Sequence, residues 1–137
     1  MSGASLLRAV HAALLADPDA AALLSGRLYD RVPDRADFPY ATYGALRDRP
    51  LDGEGLTEHA PSLEVWSRAR GRGEALALAN AVARALHAGS VSPEGRRLVS
   101  LRAVAVGAAP GTDGSERAAV ELRAVTEPPA ATEPPAA

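Results

Sequence analysis

Apolar positions recur with two different periods along this chain, and the period changes at prolines and glycines. Leu6, Val10, Ala13 and Leu14 fall on one face of a helical wheel, with Arg8, His11 and Leu15 on the other. This predicts an amphipathic helix over about Leu6–Ala16, with Ser5 as its N-cap. Asp17-Pro18 ends that helix and starts a short second one, with Asp17 as N-cap and Pro18 at the first position. The second helix runs through Leu23 and Leu24 to a left-handed stop at Gly26. Arg27–Pro33 is a short extended segment. Phe38–Leu46 is a second strand, rich in aromatics, in which Pro39 fits only at the start or on an edge. Arg47–His59 is polar and rich in Gly, Asp and Glu, which predicts a long loop before a third strand at Ser62–Arg68.

The second half of the chain is more regular. Gly73–Ala88 reads as the strongest helix, with Ala75, Leu78, Ala79, Val82 and Leu86 toward a core. Its other face carries Ala77, Ala81, Arg84 and Ala88. So little charge means either a mildly apolar solvated face or a face packed on a sheet or a neighbouring chain. Leu98–Val106 and Arg117–Val125 read as an antiparallel hairpin joined by a Gly/Pro/Asp loop. In its second strand Ala118, Val120, Leu122 and Ala124 alternate with Arg117, Glu121 and Arg123.

Composition narrows the picture. The chain has 137 residues, which predicts one domain over residues 1–125 followed by a Pro-rich arm. The arm is a direct repeat, Thr126-Glu127-Pro128-Pro129-Ala130-Ala131 and Thr132-Glu133-Pro134-Pro135-Ala136-Ala137, that has no means of forming a core. It is read as an extended arm lying on a neighbour or as a loose terminal tail. The apolar fraction is largely alanine, so the core is thin and burial against other subunits is a natural supplement. The net charge of -2 gives no general attraction to nucleic acid. All 15 basic residues are arginine, and there is no cysteine for a disulfide or a thiolate site. No apolar run is long enough to span a bilayer, and the first residues lack a signal-peptide pattern, which implies a protein that folds in a bacterial-type cytoplasm.

The residues offer little for catalysis. His11, His59 and His87 have no metal-ligand spacing, and no nucleophile elbow or phosphate loop is present. Asp30, Asp34 and Asp37 are interleaved with Arg31 and Arg35, as in a solvated charged turn. No catalytic, cofactor or metal residue is therefore assigned. The sharpest polar feature is Arg68, Arg70 and Arg72, which on an extended backbone form one guanidinium stripe. It is read as a solvated strand end or as a subunit contact. Asp48, Asp52, Glu54 and Glu58 in the acidic loop are its complement. With Ala77, Ala81 and Arg84 on the long helix, these residues are the candidates for a subunit or tube interface.

Three segments occur in a familiar order: Gly26-Arg27-Leu28-Tyr29-Asp30-Arg31-Val32-Pro33, then Phe38-Pro39-Tyr40, then Val65-Trp66-Ser67-Arg68 followed by Gly71-Arg72-Gly73-Glu74-Ala75. With Leu86-His87 at a helix end, they resemble the tail completion, or tail terminator, proteins of long-tailed bacteriophages, prophages and gene transfer agents. The resemblance spans about Leu6–Val125. It implies an α+β fold with a small, mostly antiparallel sheet packed by helices; here that means about five strands with an N-terminal and a central helix. It also implies a hexameric ring that caps the head-proximal end of the tail tube, ends its polymerisation and joins the head connector. DNA passes through without sequence-specific binding, and no enzyme activity is implied. The partners implied are further copies of the chain, the tail tube protein and the head–tail connector protein, with no membrane. A neck connector protein of the same particle is the nearest alternative. A small enzyme using Asp30, Arg31 or His59, or a monomeric binding module, are the remote ones.

Overall fold

In the computed structural model the described residues are 2–51, 53, 55–111 and 113–129. The elements in chain order are helices α1 (Ser2–Ala16) and α2 (Pro18–Leu24), strands β1 (Leu28–Tyr29), β2 (Tyr40–Pro50) and β3 (Thr57–Ser67), helix α3 (Gly73–Ala88), and strands β4 (Arg97–Pro110) and β5 (Glu116–Glu127). The strands form one sheet in the order β1-β2-β3-β5-β4, antiparallel except for the short β1–β2 pair. This is the expected α+β class, with three helices on one face of the sheet.

Strict alternation places the middle of the sheet. In β3, His59, Pro61, Leu63, Val65 and Ser67 are buried, while the residues between them lie on the other face. β5 repeats the pattern with Ala118, Val120, Leu122, Ala124 and Thr126 inside. The long helix lies over these strands and β4, and α1 and α2 pack beside it. Its buried side is Ala75, Leu78, Ala79, Val82 and Leu86, as the periodicity predicts, joined by Ala81 and Ala85. The inward stripe of α1 is Leu6, Val10, Ala13 and Leu14, again as predicted.

Several boundaries differ from the sequence reading, each for a physical reason. The first helix begins at Ser2, so Ser5 is not a cap. It is buried, and its hydroxyl donates to the Glu94 carbonyl oxygen at 2.6 Å, tying α1 to the turn after α3. Gly3 lets the start of α1 lie against β2; a Cβ there would sit 2.5 Å from Asp48 Oδ2 and 2.9 Å from Leu46 Cδ2. The second helix is capped as predicted: Asp17 Oδ2 accepts from the Ala20 N–H at 2.9 Å, and Ser25 and Gly26 take left-handed backbone after it. The long loop read at Arg47–His59 is mostly hairpin, because β2 runs to Pro50 and β3 starts at Thr57. Cross-strand pairs such as Asp48↔His59 and Arg49↔Glu58 stabilise strands whose composition alone reads as loop. The last strand passes the expected boundary at Val125 and takes in Thr126 and Glu127; the rest of the arm from Ala130 lies outside the described residues.

The open sheet face is polar and carries cross-strand ion pairs. Glu58 accepts from Arg49 at 3.0 Å and from Arg123 at 3.2 Å, Glu64 pairs with Arg117 at 3.4 Å, and Arg97 pairs with Glu127. The β4 edge exposes Val99, Val104 and Val106. Two register shifts interrupt that strand, and His87 of α3 accepts from its Ala103 N–H at 3.1 Å. These irregularities blunt the edge against further strand pairing.

Between α1 and β2, the Tyr43 hydroxyl and His11 Nδ1 share a hydrogen bond of 2.9 Å. Burial, with the Asp30 carboxylate adding to it, pushes the Tyr43 hydroxyl well above the usual tyrosine range. The native state therefore keeps this proton after the unfolded chain has begun to lose it. Its stabilisation is complete below the ordinary value of 10.0 and is lost as pH rises toward the native value. Alkaline unfolding monitored by circular dichroism is expected to show stability falling above about pH 10. Tyr43→Phe should make that fall shallower while lowering stability at neutral pH.

Candidate functional site: an aromatic and arginine surface

The three segments that carry the family resemblance converge at one end of the sheet. The Arg27 guanidinium donates from Nε to the Pro39 carbonyl oxygen at 2.8 Å and from Nη2 to that of Phe38 at 3.2 Å. The peptide between Phe38 and Pro39 is cis, and the Ala41 N–H donates back to the Arg27 carbonyl oxygen at 2.9 Å. Leu28 is buried beneath this turn. Above it, ring centroids lie 5.9 Å apart for Tyr29 and Tyr40, 5.0 Å for Phe38 and Tyr40, and 6.4 Å for Tyr40 and Trp66, the last pair stacked. Register explains that stack, since Tyr40 and Trp66 are direct cross-strand neighbours.

Two guanidiniums frame the rings. Arg68 sits 4.4 Å from the Phe38 centroid and Arg117 sits 5.7 Å from that of Trp66. Arg117 is held by Glu64, and Arg68 lies 3.8 Å from Asp113. Hydrogen bonds from the Ser115 hydroxyl and backbone N–H, with Arg68 nearby, keep the Asp113 carboxyl below its ordinary range. Burial, then the Asp113 charge, raises the Tyr40 hydroxyl against an opposing effect of Arg68. All four rings are half-buried. Amphipathic aromatics flanked by arginine are the composition that dominates binding energy at protein interfaces.

The expected arginine stripe does not form. The third strand stops at Ser67, whose buried hydroxyl donates to Glu74 Oε1 at 2.6 Å and accepts from the Ala69 N–H at 3.0 Å. The next residues bend, with Gly71 at φ +75°, so Arg68 joins the aromatic surface while Arg70 and Arg72 lie on the exposed turn that follows it. The acidic loop is likewise dispersed: Asp48 and Glu58 lie on paired strands, and Asp52 and Glu54 lie outside the described residues. On α3, Ala77 and Arg84 are exposed, but Ala81 is buried within this chain because the helix packs on α1 and α2 as well as the sheet. Residue-by-residue reading missed Tyr29, Phe38, Tyr40, Trp66 and Arg117 as one surface. Their signal was the co-occurrence of the Gly26–Pro33, Phe38–Tyr40 and Val65–Arg68 segments.

One internal cluster has the order of a nucleophile relay. His59 Nδ1 donates to Asp48 Oδ1 at 2.7 Å, and His59 Nε2 meets Thr126 Oγ1 at 2.8 Å. An ionised Asp48 accepts only, so Nδ1 carries a proton. Arg96 Nε donates to the same hydroxyl oxygen at 2.9 Å, and Arg96 Nη2 reaches the Gly55 carbonyl oxygen at 2.9 Å and that of Thr126 at 3.1 Å. His59 and Thr126 are both 0% exposed. A nucleophile must reach its substrate, and this hydroxyl meets none. The cluster is a clasp joining the hairpin tip, the turn after α3 and the end of β5. Among the described residues no three His, Cys, Asp or Glu side chains form a group able to hold a metal ion, and no helix is long and apolar enough to cross a membrane.

A small sheet that gathers aromatics and arginines at one end belongs to the class of proteins that act by contact with other chains. Comparison with known proteins gives that class a family. The pattern of the tail completion protein gp17 family matches residues 8–127. Among solved structures, a chain from the virion of a native gene transfer agent particle is similar over 92% of this chain and 98% of its own, with 28% identity and a TM-score of 0.75. The gp17 protein of bacteriophage SPP1 shares the fold over 89% of this chain and 88% of its own, at 20% identity and a TM-score of 0.62. No curated protein matches. The chain belongs to the tail completion protein gp17 family, whose members are structural proteins of phage tails.

Arg27→Ala should lower stability by about 3 kcal/mol, the low end for two bonds from a charged donor. It should also weaken the near-ultraviolet dichroism of the Tyr40–Trp66 stack; an unchanged spectrum would show that Arg27 does not hold the surface. Thr126→Val, which strands His59 and Arg96, is expected to cost ~1–3 kcal/mol in urea unfolding with an unchanged slope.

Proposed function

We propose that this chain is the terminator of a phage-like tail. Six copies form a ring on the head-proximal end of the tail tube, stop its growth and present the surface to which the head connector joins. The single observation that carries this reading is the convergence of the three family segments into one half-exposed aromatic and arginine surface, in a chain whose family completes tails. The likeness to a gene transfer agent virion chain over nearly the whole of both proteins supports an assembled, particle-bound role. The partners are further copies of the chain, the tube protein and the connector.

Physical chemistry supports the arrangement. A head-to-tail interface closes into a ring when its rotation divides a full turn, and each subunit then needs two different patches of about 800 Å². The aromatic surface supplies one, and the exposed Ala77/Arg84 side of α3 is available to another. The open sheet face pairs Arg49, Arg117 and Arg123 with its own carboxylates. Internally paired guanidiniums displace few counterions from DNA, so a lumen of this kind lets DNA slide. Synthesis takes place in the bacterial cytoplasm before assembly, and the role requires no chemical step: the relay-like cluster of Asp48, His59 and Thr126 is sealed.

Tube protein polymerising with the purified chain tests the reading. Tubes should stop growing once capped, with six copies at one end only. Elongation at an undiminished rate, with no chain at tube ends, would contradict it.

A further inference from the structure

The aromatic surface retains unused hydrogen-bond donors. The Trp66 indole N–H and the Tyr29 and Tyr40 hydroxyls take part in none of the side-chain hydrogen bonds among the described residues. Half-buried Trp and Tyr with free polar tips, on a ladder of stacked rings, are the groups that recognise polyproline II segments. The rings receive the prolines, and the donors meet backbone carbonyls that such a helix leaves unbonded. This chain carries such a segment twice, as Thr126–Pro129 and Thr132–Pro135. The first copy is committed: Thr126 is in the clasp, and Pro128 lies against Gly55 at the hairpin tip, where a Cβ on Gly55 would meet Pro128 Cγ at 2.9 Å. We propose that the second repeat, Thr132–Pro135, docks on the aromatic surface of a second copy of this chain.

Reach selects a second copy over the same one. The arm leaves the sheet at Glu127, at the opposite end of β5 from Arg117, which pairs with Trp66. Arg117 to Glu127 is about 33 Å of strand at ~3.3 Å per residue. Pro128–Pro135 spans about 25 Å as polyproline II at ~3.1 Å per residue, short of its own aromatic surface. A neighbour in a ring brings that surface within range, and in this respect the inference rests on the ring reading. Charge agrees: Glu133 arrives beside Arg68, whose 3.8 Å contact with exposed Asp113 leaves guanidinium donors free. Arg117 is already paired with Glu64, which makes Arg68 the guanidinium that receives the carboxylate.

The chain has no cysteine, so single introduced cysteines report the contact. Full-length Ala131→Cys protein is mixed with full-length Arg70→Cys protein; Arg70 is exposed beside the surface and makes none of the ring contacts described. Under mild oxidation the disulfide heterodimer should form at least about tenfold faster than with Ala12→Cys, on the exposed side of α1 and outside both contact patches, as the control. Adding Glu133→Arg to the arm-labelled chain should slow it about fivefold, as for an exposed charge pair. Cross-linking no faster than the control overturns the proposal. So does a double variant, Ala131→Cys with Arg70→Cys, that closes within single chains at high dilution. The mass of the same oligomers separates the two readings. Rings of normal mass without the cross-link overturn the arm contact alone, and monomers that neither cross-link nor bind tube ends overturn both.

Discussion

The Arg27 guanidinium holds two carbonyl oxygens, those of Phe38 and Pro39, across an exposed turn at 30–35. Tyr29, Phe38 and Tyr40 take their positions from that grip, and cross-strand register then delivers Trp66 against Tyr40. Four of the chain's five Phe, Trp and Tyr side chains are thereby concentrated at one end of the sheet. A protein whose core is built largely from Ala, Val and Leu spends few large rings on its own interior. Half-buried aromatic rings flanked by arginine have the composition in which interface hot spots are enriched.

The remaining polar groups serve the chain itself. The Asp48–His59–Thr126–Arg96 clasp seals the far end of the sheet. Ser67 and Glu74 couple the end of β3 to the start of α3, so the strand and the helix that follows it are fixed as one corner. Cross-strand ion pairs link Arg49, Arg117 and Arg123 to Glu58 and Glu64 on the open face. Exposed pairs of this kind add little stability singly.

Periodic elements were legible in the sequence, and those shaped by tertiary contacts were not. The residues of Gly73–Ala88 and the alternation of Ala118, Val120, Leu122 and Ala124 specify their elements locally, so helix and strand follow from spacing alone. The Asp17 cap followed by Pro18 is likewise a local signal. By contrast, Asp48, Arg49, Glu58 and His59 have loop-like composition and become strand because each finds a partner across the hairpin. Arg68, Arg70 and Arg72 look like a stripe only while the backbone stays extended, and the Ser67 turn ends that. The three segments were legible as a family resemblance, but the aromatic surface they build depends on the register between β2 and β3, which no single segment encodes.

The central claim is that this surface is covered by a neighbouring chain where the tail is completed. A reconstruction of the neck of purified particles tests it most directly. The account predicts this chain in a ring on the head-proximal end of the tube, with Phe38, Tyr40 and Trp66 of every copy packed beneath another polypeptide. A ring in which those three rings face solvent, or a neck that lacks this chain, would contradict it.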